Sequence, residues 1–449
     1  MQLVAMGAQD VYLTGNPQIT FFKVVYRRHT NFSKECIAQT FSGSIPETGT
    51  GSVTCTLARN GDLVQEIYLK ATLNADDSTT QVALTAVSGT ADIETGTLPS
   101  VDDKISFTAD ISTDEDGVII EKEKRYIVTA SAGGKFSIKD ENGTAVTWTG
   151  VTNHTAASSK YKAEGVTLDK DITDLIKTVE VEIGGQKIDK HYSQWLDIYN
   201  ELFETSHDYR NAMSLGTPGN NKTVYIPLRF WFNRNPGLAL PLIALQYHEV
   251  KVLMDLNVPA SSKMSTANLL VNYLYLDTDE RRRFAQVSHE YLIEQVQHTG
   301  PETETTVDMN FNHPVKALFW TGSGANSAIL GAAKLQLNGH DRAAEQPHDY
   351  YHLVQPYECD LGHCGKSLNN NSRVWTGVVN TGANNNVGMY SFCLKPAEHQ
   401  PSGTCNFSRI DNARLNIAGV SSTNNLYLFA LNYNVLRIMS GMGGLAYSN

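Results

Sequence analysis

A chain of 449 residues, 41% hydrophobic and 18% charged, has ample apolar material for packed cores and too little charge for a disordered chain. Its net charge of −11 excludes a general nucleic-acid binder, because neutralising phosphates takes clustered Lys and Arg. No apolar run approaches the roughly 20 residues of a membrane span, and at about 150 residues per domain the length predicts about three units.

The amino-terminal MQLVAMGAQD has neither the basic start nor the apolar stretch of a secretory leader, so none is expected. The cysteines are Cys36, Cys55, Cys359, Cys364, Cys393 and Cys405, a sparse set that points to a reducing site of synthesis. Period-two alternation with β-branched and aromatic residues then predicts strands at 67–73, 179–183, 250–256, 269–276, 317–320, 334–337, 389–394 and 426–433. Turns at Asn60-Gly61, Gly184-Gly185 and Asn338-Gly339 separate them and favour a β-sandwich over an α/β fold. One helix interrupts the series: Trp195, Ile198, Tyr199, Leu202 and Phe203 form a single apolar stripe over 192–203.

The second half repeats the first. Residues 53–69 (VTCTLARNGDLVQEIYL) match 307–320 (VDMNFNHPVKALFW), with Leu57 on Phe311 at an offset of 254. Residues 181–186 (VEIGGQ) match 335–340 (LQLNGH) at an offset of 154, and 268–284 match 425–441 at 157. The fall of about 97 residues between the first offset and the last measures an insertion that only the first copy carries. Two sandwiches in tandem, each of the eight-stranded jelly-roll type, with one short helix in a connecting loop, follow from this all-β pattern. The insertion, about 74–165, has 15 acidic residues against 8 basic ones. Segments 125–130, 135–139 and 145–149 read as strands, so a small folded β unit on a surface loop is expected. Closing about 90 residues instead of about 6 costs the fold only about 2.4 kcal/mol.

No catalytic, cofactor or metal site emerges. Asp277, Asp279 and Glu280 beside Arg281, Arg282 and Arg283 read as a salt-bridged edge between modules. His348, His352, Cys359, His363 and Cys364 lack the tight paired spacing of zinc ligands. Gly441, Gly443 and Gly444 lack the strand–helix unit of a phosphate loop. His191 and Tyr192 read as packing or capping residues, and no G-x-S-x-G segment is present. Sequons stand at Asn31, Asn142, Asn153, Asn221, Asn370 and Asn406; Asn142 and Asn153, in the insertion, are the candidate glycosylation sites.

Segments 7–32 (GAQDVYLTGNPQITFFKVVYRRHTNF), 59–63 (RNGDL), 181–192 (VEIGGQKIDKHY) and 235–252 (NPGLALPLIALQYHEVKV) carry a specific resemblance. So do 276–297 (LDTDERRRFAQVSHEYLIEQVQ), 395–415 (KPAEHQPSGTCNFSRIDNARL) and 432–449 (NYNVLRIMSGMGGLAYSN). The chain resembles the major capsid proteins of large icosahedral DNA viruses, nearest to the algal phycodnavirus type. That resemblance implies an all-β double jelly roll with an arm at 1–25, a first jelly roll at 26–283 and a second at 284–449. It implies a homotrimeric, near-hexagonal capsomer tiling a shell around an inner membrane and DNA genome, without catalysis, cofactor, transmembrane segment or direct nucleic-acid contact. Its partners would be neighbouring capsomers and minor capsid proteins beneath the shell, and the protein would belong to virions assembled in the host cytoplasm. The insertion falls where the resemblance places a shorter, outward-facing loop between the fourth and fifth strands, suited to host attachment or glycan display. The competing readings are a tandem β-sandwich lectin or adhesin, and a cupin-like enzyme, whose H-x-H motif is missing from the sequence.

Overall fold

The computed structural model describes residues 7–24, 26–75, 81–89, 92–95, 104–107, 111–113, 117–120, 125–132, 135–140, 144–147, 151–154, 160–163, 175–203, 222–258, 262–322, 330–342, 344–361, 387–420 and 425–447. After a short helix, α1 (Asp10–Thr14), come β1 (Phe32–Gln39), β2 (Gly49–Thr56) and β3 (Leu63–Ala75). The insertion follows with β4 (Gln81–Gly89), β5 (Asp92–Thr95), β6 (Lys104–Phe107), β7 (Ile111–Thr113), β8 (Gly117–Ile120), β9 (Arg125–Ala132), β10 (Lys135–Asp140), β11 (Val151–His154) and β12 (Lys160–Ala163). The first module resumes with β13 (Ile176–Ile183), β14 (Gln186–Tyr192), α2 (Ser193–Leu202), β15 (Lys222–Pro227), β16 (Leu240–Pro241), β17 (Val250–Val258) and β18 (Ser262–Leu276). The second half holds β19 (His289–Glu302), β20 (Thr306–Asp308), β21 (Pro314–Gly322), β22 (Ala333–Leu337) and β23 (His340–Asp341). It ends with β24 (Gly388–Ser391), β25 (Cys405–Asn406), β26 (Ala413–Ile417), β27 (Leu426–Met439) and β28 (Met442–Leu445).

The two halves share one topology. In the first, β1-β18-β3-β15 faces β14-β13-β17-β2; in the second, β19-β27-β21-β24 faces β23-β22-β26-β20. Each strand of one path has its counterpart in the other, and every pairing is antiparallel. This crossing order is that of a jelly roll, so the fold is a double jelly roll. All three repeated sequence pairs fall on equivalent strands: β2–β3 on β20–β21, β13 on β22, and β18 on β27. The matching hairpins turn on Gly184 and Gly185 (φ +59° and +80°) and on Asn338 and Gly339 (+52° and +75°). Those left-handed backbones suit two-residue turns whose twist matches the strands they join.

Alternation sets the cores. β17 buries every second residue, and its Val252, Met254 and Leu256 meet Ile67, Leu69 and Val271 of the facing sheet. In the second sandwich Leu335, Leu337 and Leu415 meet Leu318, Trp320 and Leu428 in the same way. The predicted strand at 389–394 ends at Ser391, because the Ser391 hydroxyl accepts a hydrogen bond from Cys393 N at 3.2 Å and turns the chain. The charged run after Leu276 is a helix, Thr278–Gln286, which the sequence reading left without an element; Asp277 caps it and Arg281 reaches Asp62 at 2.9 Å.

The insertion leaves β3, the third strand of the first jelly roll, and returns on β13, the fourth. The expected position, between the fourth and fifth strands, is therefore corrected by one, since the described residues ahead of β1 add no strand. Its strands pair in the order β11-β4-β12-β6-β9-β10-β5, and β5 pairs back on β4, which closes six of them into a ring. Ile93, Ile105, Phe107, Ile120, Tyr126, Val128, Phe136 and Ile138 are buried. The expected strands at 125–130 and 135–139 are present as β9 and β10. The expected strand at 145–149 is not: Ala145 makes one isolated bridge to Lys139, and residues 148–149 lie outside the described residues. A closed ring hides its edges and carries its own core. Replacing residues 76–163 with a short Gly/Ser linker should therefore leave the thermal unfolding of the two sandwiches cooperative and within a few degrees of the parent. Calorimetry that instead showed loss of the cooperative transition would place the insertion inside the main folding unit.

Candidate functional site

The residues flagged as possible chemistry are dispersed into packing. His348 and His352 stack at 5.4 Å, His352 Nδ1 lies 2.8 Å from the Val387 carbonyl, and burial lowers the His352 pKa. Cys359 is buried beside α2, while His363 and Cys364 lie outside the described residues. Among the described residues no three His, Cys, Asp or Glu side chains gather as a metal site. His191 is buried, stacked on Phe230 at 4.5 Å, with its Nε2 2.9 Å from Asp189 Oδ2. Gly441, Gly443 and Gly444 belong to the β27–β28 hairpin. Asn153 falls on β11, and Asn142 lies outside the described residues.

What the fold does build is a seam between the two sandwiches. The apolar stripe of α2 does not cover its own module: Trp195, Ile198, Tyr199 and Leu202 pack on Val296, Ala317, Phe319, Met389, Phe429 and Leu431, the outer face of the second module's sheet. Trp195 meets the Phe319 ring edge-on at 5.4 Å. His298 lies between Tyr192 (4.3 Å) and Phe429 (4.8 Å), and burial pulls its pKa down to about 4.

Beside this layer sits a buried charged node. Glu294 of β19 accepts from Lys316 Nζ of β21 at 2.6 Å and from Arg234 Nη1 of the first module at 2.5 Å. Lys316 is wholly buried, donates also to the Glu398 carbonyl at 3.0 Å, and lies 5.0 Å above the Tyr433 ring. Arg234 lies over the Tyr199 ring at 4.8 Å, which ties the node to α2. Next along the strand, Asp189 Oδ1 accepts from Val296 N at 3.0 Å and Gln295 donates to the Ile188 carbonyl. The carboxyl-terminal hairpin completes the seam. Tyr247 N donates to the Gly441 carbonyl at 3.1 Å, and a Cβ on Gly443 would stand 2.7 Å from Leu245 and 3.2 Å from Ile183. Sequence reading missed this node, although Lys316 was visible as a lone cation in the apolar run VKALFW.

Strand register fixes two poles. Phe32, where the amino-terminal segment enters the sheet, pairs with Leu276 at one end of β18; Ala75, where the insertion leaves, pairs with Ser262 at the other. Fifteen residues of strand separate them, about 50 Å. The described residues from 7 to 31 enter neither sheet, and Tyr12 (94%), Phe21 (89%), Phe22 (98%) and Tyr26 (91%) are exposed there. Clustered exposed apolar side chains of this kind mark an interaction surface.

Comparison with known proteins gives concordant matches. The family described as "Major capsid protein N-terminus" matches residues 20–101 and 143–277, so its one break falls inside the insertion. "Large eukaryotic DNA virus major capsid protein" matches 280–328 and 374–444. The chain is 45% identical to the major capsid protein of Pyramimonas orientalis virus, covering 100% of this chain and 99% of that one. It is 36% identical to that of Paramecium bursaria Chlorella virus 1, with the same coverage. Among solved structures, the quasi-atomic PBCV-1 virus capsid superposes with a TM-score of 0.65 at 32% identity, over 96% of this chain and 100% of that one.

Two outcomes follow from the seam. Lys316→Met alone should cost about 3–5 kcal/mol in urea unfolding, since it leaves Glu294 buried and short of a partner, whereas Glu294→Gln combined with Lys316→Met should recover much of that loss. The unfolded chain binds a proton at His298 below pH 6.5, but the folded chain does so only below about pH 4. Unfolding thus takes up a proton in that window, and stability falls as pH drops from 6.5 towards 4. His298→Phe should reduce the fall in urea midpoint between pH 7 and about pH 4.5; an equal fall in both proteins would refute this role.

Proposed function

The chain belongs to the major capsid proteins of large eukaryotic DNA viruses, and we propose that three copies close into a near-hexagonal capsomer that tiles an icosahedral shell. The observation that carries this reading is the identical strand order of the two sandwiches together with the seam that locks them. Three chains of two like modules present six like modules around a closed three-fold ring, and only a fixed angle within each chain gives all six a regular outline. A flexible tether between modules would leave that outline undefined. The role is structural, in the virion, without catalysis or cofactor, with assembly in the host cytoplasm.

The two poles suggest the orientation. With β18 running across the shell thickness, the apolar amino-terminal arm lies at the base, where neighbouring capsomers and minor capsid proteins are its partners. The acidic barrel then projects outward, about 50 Å away along the strand, as a surface for host attachment or for glycans on Asn142 or Asn153. Intact-mass measurement on protein from virions tests the glycans: a mass equal to the bare 49.4 kDa chain refutes them.

Light scattering coupled to size exclusion tests the capsomer. The expected species is three times 49.4 kDa and persists on dilution. A folded protein that stays monomeric at high concentration would overturn the trimer and favour a self-contained binding module.

A further inference from the structure

An uncharged cleft of about 500 Å³ opens at the arm's end of the molecule, walled by Ala244 and Tyr247, by Val287 after the linking helix, and by Ile438, Met439 and Gly441 of the last hairpin. Its rim leaves large apolar groups in water: Tyr247 is 76% exposed, Val287 52% and Met439 54%. We propose that this cleft receives the segment 17–22 (PQITFF) of the arm of a second copy of this chain, so that arms exchange between subunits.

Three observations support that occupant. The first is chemical match: no residue lining the cleft is charged, and 17–22 is the end of the uncharged run 11–22, the part beyond the helix α1 that carries Ile19, Phe21 and Phe22 exposed up to Lys23. The wall offers main-chain and amide groups of Gln246, Gln286, Ser288 and Ser440 between apolar side chains, which suits an extended peptide with its own polar backbone and apolar side chains. The second is reach. The arm enters the sheet at Phe32, opposite Leu276, and the nine-residue helix that starts two residues later ends at the cleft wall. That helix is about 14 Å long, and the residues between Phe22 and Phe32 span about 33 Å when extended. The third is that one chain by itself leaves both sides open: Ile19, Phe21, Phe22 and Val24 are all exposed, as is the rim. The segment and the cleft are therefore complementary surfaces on one chain, and repeated association between copies satisfies both at once.

The inference rests on the capsid reading above, and its test separates the two. In a Cys36→Ser background, which removes an exposed thiol, Phe22→Cys is combined with Met439→Cys in the full-length protein and oxidised gently. The expected product is a covalent dimer or larger species on a non-reducing gel, absent from each single-cysteine control. A cross-link confined to one chain, or none at all in a preparation that light scattering shows to be trimeric, overturns arm exchange and leaves the capsomer standing. Failure to trimerise would count against the capsomer itself. As a second readout, Val287→Glu at the rim and Phe21→Ser with Phe22→Ser in the arm should each slow association between copies by at least tenfold. Thermal unfolding should stay unchanged, because all three side chains are solvent-facing in the single chain. Arm variants that bind anionic vesicles less well than the parent, with no change in association, would assign the arm to a lipid surface instead.

Discussion

The burial of the second sandwich's outer sheet face beneath a helix from the first is the constraint on which the rest of the molecule depends. A jelly roll buries one face of each sheet in its own core and leaves the other face for solvent or a neighbour. Here Ala317, Phe319, Phe429 and Leu431 make that outer face apolar, and α2 covers it. An apolar lid alone would permit sliding, since such packing is not directional. Glu294 removes that freedom: its two oxygens are claimed by Lys316 from the same sheet and Arg234 from the other module, each with short, directed bonds. Buried ion pairs of this kind add little net stability over apolar packing, yet a misregistered seam would strand charges in the interior. The node thus selects one angle between modules, which is what a regular tile requires.

The same topology is used twice with different additions in its connections. In both modules the sixth strand, β15 or β24, follows a helical excursion: α2 in the first, and the turns at Tyr350–Val354 and Gln355–Glu358 in the second. The first excursion crosses to the other module, and Cys359 at the end of the second meets it there. Only the first module also carries the barrel between its third and fourth strands, and the register explains why the fold tolerates it. The exit at Ala75 and the re-entry near Ile176 flank strands whose pairings, β3 with β18 and β13 with β17, are complete without it. Loop closure grows only with the logarithm of length, so a unit with its own core can be hung there at small cost.

Much of this was legible in the sequence. Alternation located β3, β13, β17, β18, β21, β22 and β27 but missed β1 and the fourteen-residue β19. The Gly184-Gly185 and Asn338-Gly339 turns located the matching hairpins, and the stripe from Trp195 to Leu202 located α2. Periodicity reports that a face is apolar, not what it covers, and so the stripe gave no hint that α2 would pack on the other module. The node was hidden for a related reason: Glu294 and Lys316 meet across β27 within one sheet, and Arg234 joins them only through packing between modules. The barrel strands were half-read because its short strands carry weak alternation, and the Ala145 segment shows the limit, with a strand-like composition but a single bridge. The charged run at 277–283 was read as an ion-paired edge; Asp62 does pair with Arg281, but the Asp277 cap and the following turns make the run a helix.

Charge follows the same polarity as the strands. The insertion, about 74–165, carries −7 of the chain's −11, while residues 7–34 carry Lys23, Arg27, Arg28 and Lys34 against Asp10 alone. Arg281, Arg282 and Arg283 stand at the same end, just beyond Leu276, but Asp277, Asp279 and Glu280 beside them cancel their charge, so the basic character there is the segment's own. One end is therefore acidic and polar and the other basic and apolar, while the sandwiches between them share the remaining −7 over a much longer stretch of chain. In a layer of parallel copies the acidic ends repel one another, although at physiological salt the screening length of about 8 Å confines that repulsion to close neighbours. Cohesion in such a layer would then rest on short-range packing along the sandwiches and on the basic, apolar end, where aromatic side chains are exposed. Repulsion above and attraction below would favour a layer that curves with its acidic face outward. The polarity fixed by the register of β18 thus bears on the curvature of such a layer as well as on which of its faces is acidic.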